Sequence, residues 1–412
     1  MIRKITLFFI ALYPVMPDYY RILGLPSGVV IACLFVVLSS FDKHKLFMIR
    51  KKDAITCIIP TALMCIPYIV HGEYTTAIKC IIEYTLVFLF LCRYFNTKER
   101  IVEALDVLIT VAFITCFFGI FEFATRHSLF GGLYSGVSTD LGPNLQMRGL
   151  FARCEATFGH AITYAIYLSI CALIDSVFII KTRRSKYKLY YVIMVVTLFM
   201  TMSRAPIILF VFGQLLLLYL FGFEKFIKII FKATICLISV FAIVSVFIPS
   251  VLSTVQYMLN IVLAIFSENA ALQVGNIQNA NPFEYRLGLL SVIPQYIRQA
   301  LLFGRGSSMS FTFQMLGHTY YSIDNAFLVW LFRYGLFGLF GNLIYFICII
   351  IFGCKQGKND DFMKLFSVIA MIYFLNLFSV AQMGEYKLWI IIFSIAYNLF
   401  RINRNIQVSY TE

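Results

Sequence analysis

The 412-residue sequence predicts an all-α polytopic integral membrane protein of about twelve transmembrane helices, with a large outer loop carrying amphipathic helices. Three observations carry that expectation. The chain is 61% hydrophobic and only 13% charged, whereas a soluble domain holds about 25% charged residues and so has polar surface to cover itself. Apolar runs long enough to cross roughly 30 Å of hydrocarbon recur along its whole length. The basic residues alternate with those runs instead of scattering among them.

The runs place spans near 5–17, 22–41, 54–71, 76–95, 101–124, 157–180, 188–202, 205–222, 229–249, 325–353, 363–381 and 387–400. Residues 1–412 therefore read as a single transmembrane domain. The run from Ile5 to Met16 has no small-residue cleavage site after it and reads as a first membrane helix, not a signal peptide. With both termini in the cytoplasm, the segments 3–4, 43–52, 93–100, 181–188, 225–232, 355–364 and 401–404 fall inside, and they hold 23 of the 34 basic residues. The formal charge of +14 is thus mostly an orientation signal, and no nucleic-acid partner is expected. Membrane lipids are the expected surroundings. Nearly all of the eleven cysteines lie in apolar runs as small hydrophobes, and Cys154 alone lies in an outer loop, so no external disulfide pair forms.

Nine of the remaining eleven basic residues are arginine, although lysine is the majority inside. Arginine presents a fixed fork of donors that grips phosphate bidentately, whereas lysine is a point charge. Each outer arginine alone can be a membrane-interface anchor, but as a set they point to an anionic, phosphate-bearing ligand. Two outer loops are long, 125–156 and 253–324, and loops of such length are usually functional. The second contains an apolar-periodic stretch, 285–302, that reads as an amphipathic helix lying on the membrane face.

Four stretches could carry chemistry. In the turn 201–206, Ser203 is a candidate cap, and the next helix would aim its positive end and Arg204 outward; a plain hairpin whose Arg204 anchors headgroups is the alternative. Arg286 leads an apolar helix that ends in Gly304-Arg305-Gly306, where two glycines would let backbone N–H groups approach an anion. His318, Asp324 and Asn325 precede a membrane helix. Capping explains one of these polar residues but not three, and His318 or Asp324 could take a proton from a sugar hydroxyl. Arg148, Arg153, Glu155 and His160 gather near the sixth span, His160 about one turn into the membrane, either as a site or as a local pair shaping the loop. Lys79 and Glu83, spaced i, i+4, read as a structural pair. No metal cluster, nucleotide-binding glycine loop or nucleophile elbow is visible, so neither a metal nor a cofactor is expected. A sugar donor would then arrive already activated on a membrane lipid diphosphate.

Together these stretches resemble the O-antigen polymerase/ligase family of polytopic membrane glycosyltransferases. The resemblance rests on Arg153 through Tyr164 (RCEATFGHAITY), Thr201–Arg204 (TMSR), Arg286 through Gly306, and Asp324 through Gly338, where DN is followed after nine residues by GLFG. It covers residues 100–355 in order. It implies a metal-independent transfer in which an acceptor hydroxyl attacks the anomeric carbon of a glycan on polyprenyl diphosphate. Arg204, Arg286 and Arg305 would hold the diphosphate and stabilise it as it leaves. Arg153, His160 and Asn325 would complete the substrate contacts, with Asp324 and His318 as the candidate catalytic residues, either of which could serve as the base. The ligase branch has a His-Asn-type pair where this chain has Asp324-Asn325, which favours a polymerase using a second lipid-linked repeat unit as acceptor. His318, six residues earlier, keeps a ligase open.

The resemblance further implies a bacterial inner membrane, a periplasmic active face, undecaprenyl-diphosphate-linked oligosaccharides as donor and acceptor, and a chain-length regulator and flippase as partners. A reading of another class is a transporter or flippase. Those are often built from two related halves with binding residues at mid-membrane, whereas here the halves are dissimilar and the notable residues sit at the outer face.

Overall fold

The computed structural model describes residues 2–17, 19–41, 51–131, 145–148, 151–221, 289, 293–294, 300–315, 318–320, 323–357, 360–380 and 386–409. Its helices are α1 (Ile2–Leu12), α2 (Ser27–Ser40), α3 (Lys51–Val70), α4 (Tyr74–Tyr94), α5 (Lys98–Thr125), α6 (Ala161–Thr182), α7 (Ser185–Met200), α8 (Arg204–Phe221), α9 (Ala326–Gln356), α10 (Asp361–Asn376) and α11 (Tyr386–Ser409). Eleven of the twelve expected segments coincide with these helices, while 229–249 lies outside the described residues. Among the described residues, six helical stretches are long and apolar enough to cross a membrane: α4, α5, α6, α8, α9, and α10 continued through Ser379. The protein is an all-α polytopic membrane protein.

Helix ends follow the local chemistry. Thr97 opens α5 by accepting from the Arg100 amide at 3.4 Å, and Asp360 opens α10 by accepting from the Phe362 and Met363 amides at 2.9 and 3.3 Å. Within α4, residues Ile81–Leu86 widen into a π-helical turn that carries the buried Glu83. Glu83 accepts from the Tyr386 hydroxyl at 2.8 Å and lies 3.9 Å from Lys79, in line with the expected pair.

Helix α6 sits at the centre with 89% of its apolar window buried, against 33% for α8. Helices α3 and α9 run antiparallel: Thr61 Oγ1 meets the Tyr345 hydroxyl at 3.1 Å, and the Tyr68 and Tyr334 rings lie 4.9 Å apart. Gly341 lets them approach, since a Cβ there would fall 2.6 Å from Met64 Cγ.

Between described residues, ion pairs gather at the end that the basic segments mark as inner. Arg3 pairs with Glu103, Lys98 with Asp360 at 2.9 Å, Lys186 with Asp106 at 2.9 Å, and Lys181 with Asp361 at 3.2 Å. At the opposite end lie the turns 71–73 and 201–203 and the described residues of 145–160 and of 300–325. There, among the described residues, three short antiparallel hairpins form: β1–β2 (Arg21–Ile22, Leu25–Pro26), β3–β4 (Met147–Arg148, Phe151–Ala152) and β5–β6 (Phe313–Met315, His318–Tyr320).

One departure bears on function. The last expected spans include 325–353 as a single helix, but α9 breaks at Gly335, whose φ 65 and ψ −163 are not helical. Its outer part belongs to a second, smaller core in which Leu328, Val329 and Phe332 pack with Leu289, Phe311 and Ile323. Leu289 and Ile293 are helical, one turn apart, and both face this core. Apart from Pro294, which is also helical, the rest of the expected amphipathic stretch through 299 lies outside the described residues.

Candidate functional site: the outer end of the bundle

Two clusters build this end. The first joins α5, α6 and the α7–α8 turn. Glu122, one turn from the end of α5 and fully buried, accepts from the Leu129 amide with one oxygen at 3.1 Å. Its other oxygen accepts from the amides of Glu155 and Ala156 at 3.0 and 2.7 Å. Ala156 has φ 46, a left-handed conformation that costs a non-glycine residue about 1–3 kcal/mol, so these bonds hold a strained turn in place. Sequence reasoning passed over Glu122. Its signal was a carboxylate near the outer end of a span whose other acidic residues, Glu99, Glu103 and Asp106, lie at the inner end.

Hairpin β3–β4 then delivers Arg153, which is 8% exposed. Its Nε donates to the Thr201 carbonyl at 3.1 Å, Nη1 to Gln146 Oε1 at 2.9 Å, and Nη2 to Ser203 Oγ at 3.0 Å. These bonds straddle Met202, another left-handed residue with φ 51. Arg153 thus shapes the turn from which Arg204 opens α8. The Ser203 hydroxyl, expected as a cap, is engaged with Arg153 and with the Thr201 carbonyl at 3.3 Å.

His160 stands just outside α6 as its cap, Nδ1 accepting from the Ile162 amide at 3.2 Å. Accepting there puts the ring proton of the neutral imidazole on Nε2. Burial, aided by Arg153, pushes its pKa down to about 4. It is a neutral acceptor at ordinary pH.

The second cluster forms where residues 300–307 dock against the break in α9. The amides of Arg305 and Gly306 donate to the carbonyls of Phe332 and Arg333 at 2.9 and 2.8 Å, and those of Leu336 and Phe337 donate back to Leu301 and Leu302 at 2.9 and 3.2 Å. The two strips lie so close that a Cβ on Gly304 would fall 2.3 Å from the Arg333 carbonyl carbon, and one on Gly335 would fall 2.2 Å from the Leu302 oxygen. Gly304 therefore serves backbone packing against α9, while Gly306 makes room for the Glu73 and His71 side chains. The N–H groups of 304–306, expected to face an anion, already donate inside the protein: Gly304 to Ala300 at 2.9 Å and the next two to α9. The cationic groups beside this loop are the guanidinium side chains of Arg305 and of Arg333, its neighbour across the strip. The Arg333 guanidinium lies over the Phe311 ring at 5.1 Å and donates to the Met309 carbonyl at 3.3 Å.

The α3–α4 turn closes over the same loop. His71 Nε2 meets the Phe303 carbonyl at 3.1 Å, and Glu73 Oε1 accepts from the Ser307 amide at 2.6 Å. Neither residue carried a sequence signal, because a short polar turn between two spans looks like any other.

At the mouth of α9, Asn325 Oδ1 accepts from the Leu328 amide at 3.1 Å. Asn325 is the helix cap, and the exposed Asp324 before it is not needed in that role. His318 opens strand β6 opposite Met315, and its side chain lies outside the described residues, as does the whole of Arg286. Among the described residues no group of three or more His, Cys, Asp or Glu side chains is placed to hold a metal ion.

Residues 189–343, from α7 to the upper half of α9, match the O-antigen ligase family. The matched stretch contains Arg204, Arg286, Arg305, His318, Asp324 and Asn325, and excludes Arg153 and His160. Comparison with curated proteins gives no match.

Proposed function

We propose that this membrane protein, which carries an O-antigen ligase domain across residues 189–343, is a polymerase that joins lipid-linked oligosaccharide repeat units at the outer face of a bacterial inner membrane. The family implies O-antigen ligase or polymerase activity, hence transfer of glycosyl groups. The observation that supports the finer reading is the division of labour at 324–325: Asn325, not Asp324, caps α9, and the Asp324 carboxylate is exposed at the outer end.

In that reading the acceptor hydroxyl of one repeat unit attacks the anomeric carbon of a second glycan on undecaprenyl diphosphate. Asp324 takes the hydroxyl proton as the new glycosidic C–O bond forms. The old bond to the diphosphate breaks, and its electron pair leaves with the diphosphate oxygen. Arg204, Arg286 and Arg305 neutralise that charge as it develops. Arg153 and His160 act behind them, Arg153 through the 201–204 turn and His160 through the start of α6. Neither a metal nor a cofactor takes part. A flippase that delivers repeat units and a regulator of chain length complete the assembly.

A second reading, the ligase that moves glycan from lipid carrier to lipid A-core, is favoured by the description of the matched family and by His318 six residues before Asp324. The surface glycans of a deletion strain separate the readings. A core bearing a single repeat unit identifies a polymerase, and lipid-linked polymer beside bare core identifies a ligase. Repeat units trapped at the inner face would overturn both in favour of a flippase.

A further inference from the structure

The matched domain is held in shape by residues far outside it. Glu73 lies more than a hundred residues before position 189, yet its Oε1 accepts from the Ser307 amide at 2.6 Å. A Cβ on Gly306 would come 3.0 Å from that same oxygen, so the loop and the carboxylate are already in close contact. His71, two residues away, reaches the Phe303 carbonyl at 3.1 Å. Arg305 is therefore bracketed: the α3–α4 turn bonds the chain at Phe303 and Ser307, and α9 bonds it at Arg305 and Gly306. A loop tied only to α9 would be free to rock about that single strip. The second tie fixes the direction in which the Arg305 side chain leaves the backbone. Charge stabilisation is worth most when its donors are already aimed.

We propose that Glu73 is a positioning residue, which with His71 aims Arg305 at the lipid diphosphate. The proposal rests on the diphosphate reading of Arg305 given above. A residue acting through Arg305 matters only while Arg305 is there, whereas one that merely supports the fold matters equally with or without it.

The test uses the full-length protein in membrane vesicles, with lipid-linked repeat units extracted from a deletion strain as probe. Four forms are compared: wild type, Glu73→Ala, Arg305→Ala and the double variant. Glu73→Ala should slow polymer formation about tenfold in the wild-type background and less than twofold in the Arg305→Ala background. Glu73→Gln keeps an acceptor oxygen and should restore most of the rate. An equal loss in both backgrounds, or no loss in either, overturns the proposal. Hydrogen exchange at residues 303–307 of the purified protein gives an arm independent of activity: it should speed up at least about tenfold in Glu73→Ala and stay near wild type in Glu73→Gln. Unchanged exchange in Glu73→Ala overturns the positioning role. Full activity in Arg305→Ala instead overturns the diphosphate reading, and the exchange result still decides whether Glu73 holds the loop.

Discussion

The amide of Arg305 donates to the carbonyl of Phe332 at 2.9 Å, which is possible because α9 breaks three residues later at Gly335. A continuous helix would commit the Phe332 carbonyl to an amide four residues on. The break releases it to a loop, and two glycines let the strips meet. Gly335→Ala and Gly304→Ala should each destabilise the outer end by at least about 1–3 kcal/mol, because each adds a Cβ at a positive φ and drives it within 2.3 Å of main-chain atoms. Both variants should insert, unfold earlier on heating in detergent, and make little glycan. A wild-type melting curve for Gly335→Ala would sink the account of the break.

Asp324 and Asn325 should separate cleanly. Asn325→Ala removes the cap and should cost about 1 kcal/mol, while Asn325→Asp keeps it. Asp324→Ala and Asp324→Asn should nearly stop glycan assembly, since both remove the proton acceptor. A normal glycan ladder from either Asp324 variant at native expression would remove Asp324 from the chemistry.

The arginines should sort by what they touch. Arg204→Ala, Arg286→Ala and Arg305→Ala should slow assembly roughly ten- to a hundredfold, the loss expected for one charge-assisted contact, with normal membrane levels. Lysine at those positions should rescue only in part, because the fork geometry is lost. Arg153→Ala should instead lower the melting temperature, because Met202 keeps its left-handed conformation only while its neighbours are held. Equal melting of Arg153→Ala and wild type would overturn that distinction.

The His160 imidazole gives a pH dependence with a definite sign. Its pKa falls on folding from an ordinary 6.5 to about 4, so the unfolded chain takes up the proton first. The stabilisation is fully present above pH 6.5 and declines as the pH drops from 6.5 towards 4. Its full size is on the order of 3 kcal/mol. Melting temperatures between pH 7 and 4 should fall more steeply for wild type than for His160→Asn, which caps without titrating. Parallel slopes would contradict the buried neutral cap.

Much of the fold was legible because membrane helices announce themselves locally: the run ending near Val70 or beginning near Ala161 needs only its own residues to be recognised. The excess of arginine over lysine among the outer basic residues is likewise a bias in composition, readable without the fold. What sequence could not supply was direction. Both Asp324 and Asn325 can cap a helix, and only the turn geometry selects Asn325. The N–H groups of 304–306 belong to a glycine loop that looks ready for an anion, but a break 30 residues away claims two of them. Glu73 and Glu122 act through amides that lie 234 and 34 residues along the chain, at separations no local pattern encodes.

The ion pairs at the inner end also impose an order on biogenesis. Lys98 is made and inserted long before Asp360, its partner 262 residues later, exists. At about 5–20 residues per second, synthesis leaves that lysine waiting for some tens of seconds. Arg3 and Glu103, by contrast, can meet early. The ribosome thus builds a bundle whose amino-terminal half is tied at once and whose closure awaits the loop before α10. Nascent chains arrested short of residue 360 should be cleared by membrane proteases faster than chains arrested just beyond α10.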